Sequence, residues 1–353
     1  PPPPPQKKMP SSSPSKVSRL FLSEDLKETI STKCKELIPT LPKLDPPHHT
    51  YEIPQYKGFW FHSGIIQAIL TLSESFKAQP SDIFICSSPK TGTTWLKALA
   101  FSIVTRDRFL DDDPDNPLLK NVPHNCVPTL EVDLNANPSF LDTELPVLAT
   151  HIPYACLPPS ILESNCKIIY ICREPKDTFV SWWHYCKKQD ETFGLENGTT
   201  LEQEYQWFHD GKSMYGPYWD HVLEFLKDSK ERPDRVFFLT YEDLKSDTLN
   251  YVKKLAEFMD RPFSEEELNQ GAVERIVARC NIKSLSNLEV NKSGFFDLKQ
   301  WKISNSSFFR KGEVGDWKNL LSEEMAKSID KITQEKFHPV GLKFSTEKIT
   351  TKD

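Results

Sequence analysis

The chain has 353 residues, with 44 Lys plus Arg against 50 Asp plus Glu and a formal net charge of −6. Its 38% hydrophobic and 27% charged residues are the balance of a globular protein rather than a disordered or fibrous one. Mild acidity argues against a nucleic-acid binder, and no apolar run approaches the roughly 20 residues of a membrane span.

Residues 1–15 are mostly Pro, Ser and Lys, with Met9 the only large apolar side chain. Such a segment cannot bury enough surface to fold, so it is expected to be a disordered tail. Residues 346–353 read as a second loose tail, which leaves 16–345 as the folded domain. The N-terminus has no apolar signal-peptide core. Eight cysteines without a C-x-x-C pair read as reduced thiols, so a cytoplasmic location is expected. The Asn-x-Ser/Thr matches at Asn197, Asn291 and Asn305 are then expected to be chance.

Four short apolar runs follow, at 83–86, 147–149, 168–172 and 236–239. They do not alternate with polar residues and are rich in β-branched and aromatic side chains, as strands covered on both faces should be. Helical patterns intervene, for example over 93–103, where Trp95, Leu99 and Ile103 share a stripe. The alternation predicts an α/β fold, a single domain with a central parallel sheet flanked by helices. Ligands of such sheets bind beyond the carboxyl ends of the strands, so the residues after each run are the candidates.

The first run leads into Ser87-Ser-Pro-Lys-Thr-Gly-Thr-Thr-Trp95 and then a helix. A strand, a tight loop with one glycine and a helix start aim backbone N–H groups at one point, and Lys90 adds a full charge. This predicts a phosphate cradle. It is not the triphosphatase loop, because the lysine precedes the glycine. The alternative is a plain helix cap made by Thr93. The second run ends in Thr150-His151, where a histidine facing an anion site is placed as a general base; a structural histidine is the alternative.

The third run ends in Arg173-Glu-Pro-Lys-Asp177, and a helix is expected to open at Thr178 with Ser181 in its first turn. Arg173 and Ser181 would hold a second anion, the alternative being an Arg173–Glu174 surface pair. Tyr241 follows the fourth run, as a ring for a base or as core packing. Arg310-Lys311-Gly312 suits a loop wrapped on phosphate, against an exposed charge pair. Phe59, Trp60, Trp183 and Tyr218 are candidates for an apolar acceptor pocket. No metal-ligand spacing is found, and Asp111-Asp-Asp113 beside Pro114 reads as an exposed loop.

Pro89-Lys-Thr-Gly-Thr-Thr-Trp95, Arg173 with Ser181, and Arg310-Lys-Gly312 together resemble the soluble sulfotransferases that use 3′-phosphoadenosine 5′-phosphosulfate. Tyr56-Lys-Gly-Phe-Trp60 and the long leader are similar to the plant branch, which includes flavonol sulfotransferases. The resemblance runs from about Tyr51 to Leu342. It implies that Lys90, Thr91, Gly92, Thr93, Thr94 and Trp95 wrap the 5′-phosphosulfate, with Trp95 against the adenine. It further implies that Arg173, Ser181, Arg310, Lys311 and Gly312 grip the 3′-phosphate, that Tyr241 contacts the base, and that His151 takes the acceptor hydroxyl proton. Lys90 would stabilise the leaving phosphate, and no metal is implied. The partner expected is a small-molecule hydroxyl acceptor of flavonoid, steroid or hydroxylated-hormone type, with no nucleic acid, no membrane, and a monomer or weak homodimer. The other readings are a nucleotide-binding module without turnover or a kinase-like phosphotransferase; the latter would need a G-K-[ST] loop and Mg²⁺.

The chain departs from the family in three places. Ala149 stands where animal members carry a lysine two residues before the histidine. Asn281-Ile282 replaces Ser-Phe, and Ser322, Glu323 and Lys327 interrupt the animal dimer motif.

Overall fold

Apolar β-branched runs have no face to give to water, so each must be covered on both sides. The computed structural model describes residues 18–45, 52–109, 113–194, 198–297 and 302–344. Strands β1 (Ile83–Ser87), β2 (Val147–Thr150), β3 (Lys167–Cys172) and β4 (Val236–Thr240) form one parallel sheet in the order β2-β1-β3-β4. Ile83 pairs with Val147 and with Lys167, and Ile168 pairs with Val236. This register brings Ser87, Thr150, Cys172 and Thr240 to one edge, and the expected site segments follow directly from it.

Alternate residues of each strand serve opposite layers, as the period of two requires. Phe84, Cys86, Ile168 and Tyr170 pack with Phe179 and Val180 of helix α2 and Phe225 of helix α3 on one face. Ile83, Ile85, Ala149 and Ile169 pack with Leu99 and Ile103 of helix α1, Leu255 of helix α5 and Ile276 of helix α6 on the other. These helices are α1 (Thr93–Thr105), α2 (Pro175–Phe193), α3 (Tyr218–Glu231), α4 (Tyr241–Ser246), α5 (Thr248–Phe258) and α6 (Ala272–Cys280).

Two helix expectations need correction. Helix α1 does not carry a single apolar stripe: from Leu96 to Thr105 every residue is buried, Lys97 included. Helix α2 opens at Pro175 rather than Thr178. The Glu174 carboxylate accepts the Asp177 N–H at 2.9 Å, and proline at the first position has no N–H to leave unsatisfied. Ser181 therefore lies in the second turn, half-buried, instead of the first. Arg173 and Glu174 are both buried, so they do not form a surface pair.

All eight cysteines are free and buried. Asn291 and Asn305 are buried with their amides donating to the Leu285 and Val290 carbonyls, which removes them as glycosylation acceptors. Asn197, Asp111, Asp112 and the tails 1–15 and 346–353 lie outside the described residues. No described helix is long and apolar enough to cross a membrane.

Candidate active site

The loop after β1 is held open by its own side chains. Thr91 Oγ1 donates to the carbonyls of Ser88 at 2.9 Å and Ile171 at 3.0 Å, which ties the loop to β3. Thr93 does not cap α1, because Gly92 occupies the cap position and Thr93 Oγ1 instead meets Ser87 Oγ at 2.7 Å. Gly92 has φ 115°, and a Cβ there would sit 2.8 Å from the Tyr241 ring. Only glycine fits this conformation at this spacing. Lys90 itself adopts φ 70°. Its Nζ lies 3.4 Å from the Ser307 carbonyl and over the Tyr185 ring, 4.4 Å from the centroid. Burial pushes the Lys90 ammonium down to about 8, and Arg310 and Arg173 push the same way.

Arg173, the first residue beyond β3, is anchored from several sides. Its N–H donates to the Tyr218 hydroxyl at 3.0 Å, and its Nη2 donates to the Glu313 carbonyl at 2.5 Å. The guanidinium stacks over Tyr241 at 4.5 Å, and Tyr241 meets Trp95 edge-on at 5.5 Å. The C-terminal loop is pinned to the same place. Asp177 of α2 accepts the Gly315 N–H at 2.7 Å and the Trp317 N–H at 2.9 Å. Asp316 binds Arg310 and, at 2.7 Å, Lys311. Burial would raise the Asp316 carboxyl, but hydrogen bonds from Lys311, Arg310 and Asn319 hold it below the usual carboxylate range. Gly312 has φ 65°, and a Cβ there would meet Ile282 at 2.7 Å, so the residue that departs from the family pattern packs directly on this loop.

The structure thus brings Lys90, Arg173, Arg310 and Tyr241 together from four segments. The Nε atoms of Arg173 and Arg310 and the indole N–H of Trp95 are buried without a hydrogen-bond partner. Buried donors rarely stay unpaired, so this arrangement fits an anion with a ring attached.

His151 stands beside the same loop. Its Nδ1 is 2.7 Å from the Ser87 carbonyl and 3.3 Å from Ser87 Oγ. A carbonyl can only accept, so Nδ1 carries the proton and Nε2 keeps the lone pair. Burial pushes the imidazole down to about 3, so it is neutral at physiological pH. Its backbone is held by Glu131, which accepts the His151 N–H at 2.8 Å and the Thr150 hydroxyl at 2.7 Å, and by His221, which donates to the His151 carbonyl at 2.9 Å. Tyr215 meets the imidazole edge-on at 5.6 Å.

Of the acceptor-pocket candidates, Phe59 and Trp60 are buried aromatic side chains, and Trp183 is half-buried on α2. Tyr218 is not a pocket residue: it is buried and its hydroxyl is committed to the Arg173 backbone, where it donates to the carbonyl. Sequence reasoning missed Glu131, Asp177, Tyr185, Tyr215, His221 and Asp316, each of which touches a candidate site residue or the loop that carries one. It also missed a buried chain in α1. There Lys97 Nζ reaches His124 Nδ1 at 3.1 Å, and His124 Nε2 reaches Thr94 Oγ1 at 3.0 Å. Among the described residues no three His, Cys, Asp or Glu side chains cluster as metal ligands.

Comparison with known proteins agrees with this geometry. The sulfotransferase domain model matches residues 80–341. A flavonol sulfotransferase-like protein of Flaveria bidentis is 45% identical over 312 residues, covering 87% of this chain and 99% of the relative. A candidate steroid sulphotransferase of Arabidopsis thaliana superposes with a TM-score of 0.69 at 36% identity, covering 92% of this chain and 99% of that one. A mouse sulfotransferase solved in complex with PAP superposes with a TM-score of 0.59 at 26% identity, covering 80% and 93%. A family model matched over most of the chain and a relative 45% identical along almost its whole length show that this chain belongs to the sulfotransferase domain family.

Proposed function

We propose that the chain moves a sulfuryl group from 3′-phosphoadenosine 5′-phosphosulfate to the hydroxyl of a small apolar acceptor, with His151 as general base and Lys90 on the leaving phosphate. The observation that carries this reading is the gathering of Lys90, Arg173 and Arg310 beside a neutral histidine. Asp177 stands 3.5 Å from the Arg173 guanidinium and Asp316 binds Arg310, which leaves the Lys90 ammonium and the buried, unpartnered Nε donors of both arginines for a further anion. The donor carries phosphate at both ends of its ribose, which suits two cation groups. Lys90 to Trp95 would surround the phosphosulfate. Arg173, Ser181, Arg310, Lys311 and Gly312 would surround the 3′-phosphate, with Tyr241 against the base. In the transfer an acceptor oxygen bonds to sulfur and gives its proton to His151 Nε2. The bond from sulfur to the bridging oxygen breaks, and Lys90 neutralises the charge left on the phosphate.

Aromatic rings stand against both residues, Tyr215 against His151 and Tyr185 against Lys90. Together with the name of the Flaveria relative, they favour a flavonoid-type phenol as acceptor; the name of the Arabidopsis neighbour keeps a steroid as the second reading. Eight buried free thiols suit a reducing, cytoplasmic setting for a domain spanning 16–345, active without a metal as a monomer or weak homodimer.

A thermal-shift comparison tests the two-site reading. 3′-phosphoadenosine 5′-phosphate (PAP) should raise the melting temperature by mass action. AMP, which lacks the 3′-phosphate, should do so far less at equal concentration. Equal shifts would overturn the roles given to Arg173, Ser181 and Arg310.

A further inference from the structure

Helix α1 contains a lysine that its surroundings do not lead one to expect. Lys97, one turn beyond Thr94 in the helix, is fully buried. Its ammonium has three N–H donors, and three acceptors stand around it: Thr129 Oγ1 at 2.7 Å, the Val127 carbonyl at 3.0 Å and His124 Nδ1 at 3.1 Å. Burial pushes the Lys97 ammonium down to about 8, and Asp133 and Glu131 oppose that shift, so it stays largely charged at neutral pH. An ammonium can only donate, so His124 Nδ1 must be the lone-pair nitrogen and His124 Nε2 must carry the proton. That proton points at Thr94 Oγ1, 3.0 Å away. The ring is tilted against Phe308 at 4.2 Å and Phe296 at 5.7 Å, and burial, with Lys97 next, keeps it neutral.

A hydroxyl that accepts from a histidine has its own proton free for another partner. We propose that Lys97 and His124 are positioning residues that fix the Thr94 hydroxyl as a donor into the phosphosulfate cradle. Without the ammonium, His124 can take its other tautomer and present a lone pair to Thr94. The threonine proton then turns toward the imidazole, and the threonine oxygen faces an anion with a lone pair. The relay makes a hydrogen-bond direction at the cradle depend on a charge on the next turn of the helix. It would act on donor binding and leave the acceptor side alone. The proposal rests on the reading of the loop as a phosphosulfate site.

A double-mutant cycle on PAP affinity, read by calorimetry, tests it. Lys97→Met and Thr94→Val should each weaken PAP by about tenfold or more, the scale of one hydrogen bond to a charged group. The pair together should lose little beyond Thr94→Val alone, because the lysine acts through that hydroxyl. In steady state Lys97→Met should raise the donor KM while the acceptor KM stays unchanged. Multiplying losses in the double variant, or an acceptor KM that rises equally, would make Lys97 a general support of the fold and overturn the relay. If Lys97→Met does not fold, Lys97→Leu runs the same cycle, and His124→Phe, which offers the Thr94 proton no competing lone pair, should weaken PAP less than the lysine variant; an equal loss would overturn the relay. Failure of the wild-type protein to bind PAP more tightly than AMP would overturn the nucleotide reading and the relay together. PAP binding with multiplying losses would overturn the relay alone.

Discussion

At the residue scale the proposed chemistry divides between two side chains, one for each end of the transfer. His151 donates through Nδ1 to Ser87, which leaves Nε2 with the lone pair that a base would use. Lys90, near Arg310 and Arg173, would serve the donor side. His151→Ala should lower turnover by roughly the 10²–10⁴-fold of a lost general base and leave PAP affinity nearly intact. Lys90→Ala should lower turnover and weaken PAP as well. Along a series of phenols of falling pKa the His151→Ala defect should shrink, since a more acidic hydroxyl needs less help, while the Lys90→Ala defect should not follow. If His151→Ala costs as much PAP affinity as Lys90→Ala, the base lies elsewhere. The two groups also differ in pH behaviour. The His151 imidazole, pushed down to about 3 by burial, should show neutral NMR shifts in the free protein down to pH 5; a midpoint near its ordinary value would contradict the buried geometry. Lys90, pushed down to about 8, loses its charge as pH rises through that value, so PAP should bind more weakly at pH 9 than at pH 7. A Lys90→Arg variant, whose charge does not titrate there, should show a smaller fall, the remainder belonging to Lys97, which burial also brings down to about 8.

At the element scale the site depends on how α2 and the C-terminal loop are tied together. Asp177 holds two backbone N–H groups of that loop, those of Gly315 and Trp317, from the first turn of α2. Asp177→Ala leaves both without that acceptor, at about 1–3 kcal/mol each. It should lower the melting temperature and the PAP affinity while the acceptor KM holds; unchanged PAP affinity would show that the loop does not need this tie. Much of this scale was legible in the sequence. The four apolar runs became the four parallel strands, whose carboxyl ends lie at one edge of the sheet. Proline after a capping glutamate marks where α2 begins, a signal that was present at Glu174-Pro175 and outweighed by the apolar pattern that starts at Thr178. The tie itself was not legible, because Asp177 and Gly315 are 138 residues apart and neither belongs to a periodic pattern. Lys97 was hidden for a different reason. Periodicity assigns a charged residue in a helix to the solvent side, whereas α1 is buried all round and satisfies its lysine internally.

At the scale of the whole molecule, a sheet closed on both faces leaves its strand ends as the place where loops from distant parts of the chain can meet. The layer containing α1 supplies the phosphate loop and the layer containing α2 supplies the loop anchor. Their cations converge at one edge of the sheet, next to His151. In the proposed transfer these cations would neutralise the leaving phosphate in place of a divalent ion, so turnover should survive EDTA. Loss of activity in the chelator with recovery on adding Mg²⁺ would favour the kinase-like alternative. The most direct test supplies the sulfated donor with a panel of flavonoid-type phenols and steroids in EDTA and follows both products by mass spectrometry. The proposed transfer should give a sulfate ester and PAP one for one, sharply reduced in His151→Ala. Tight PAP binding with no ester from any hydroxylated acceptor would contradict it.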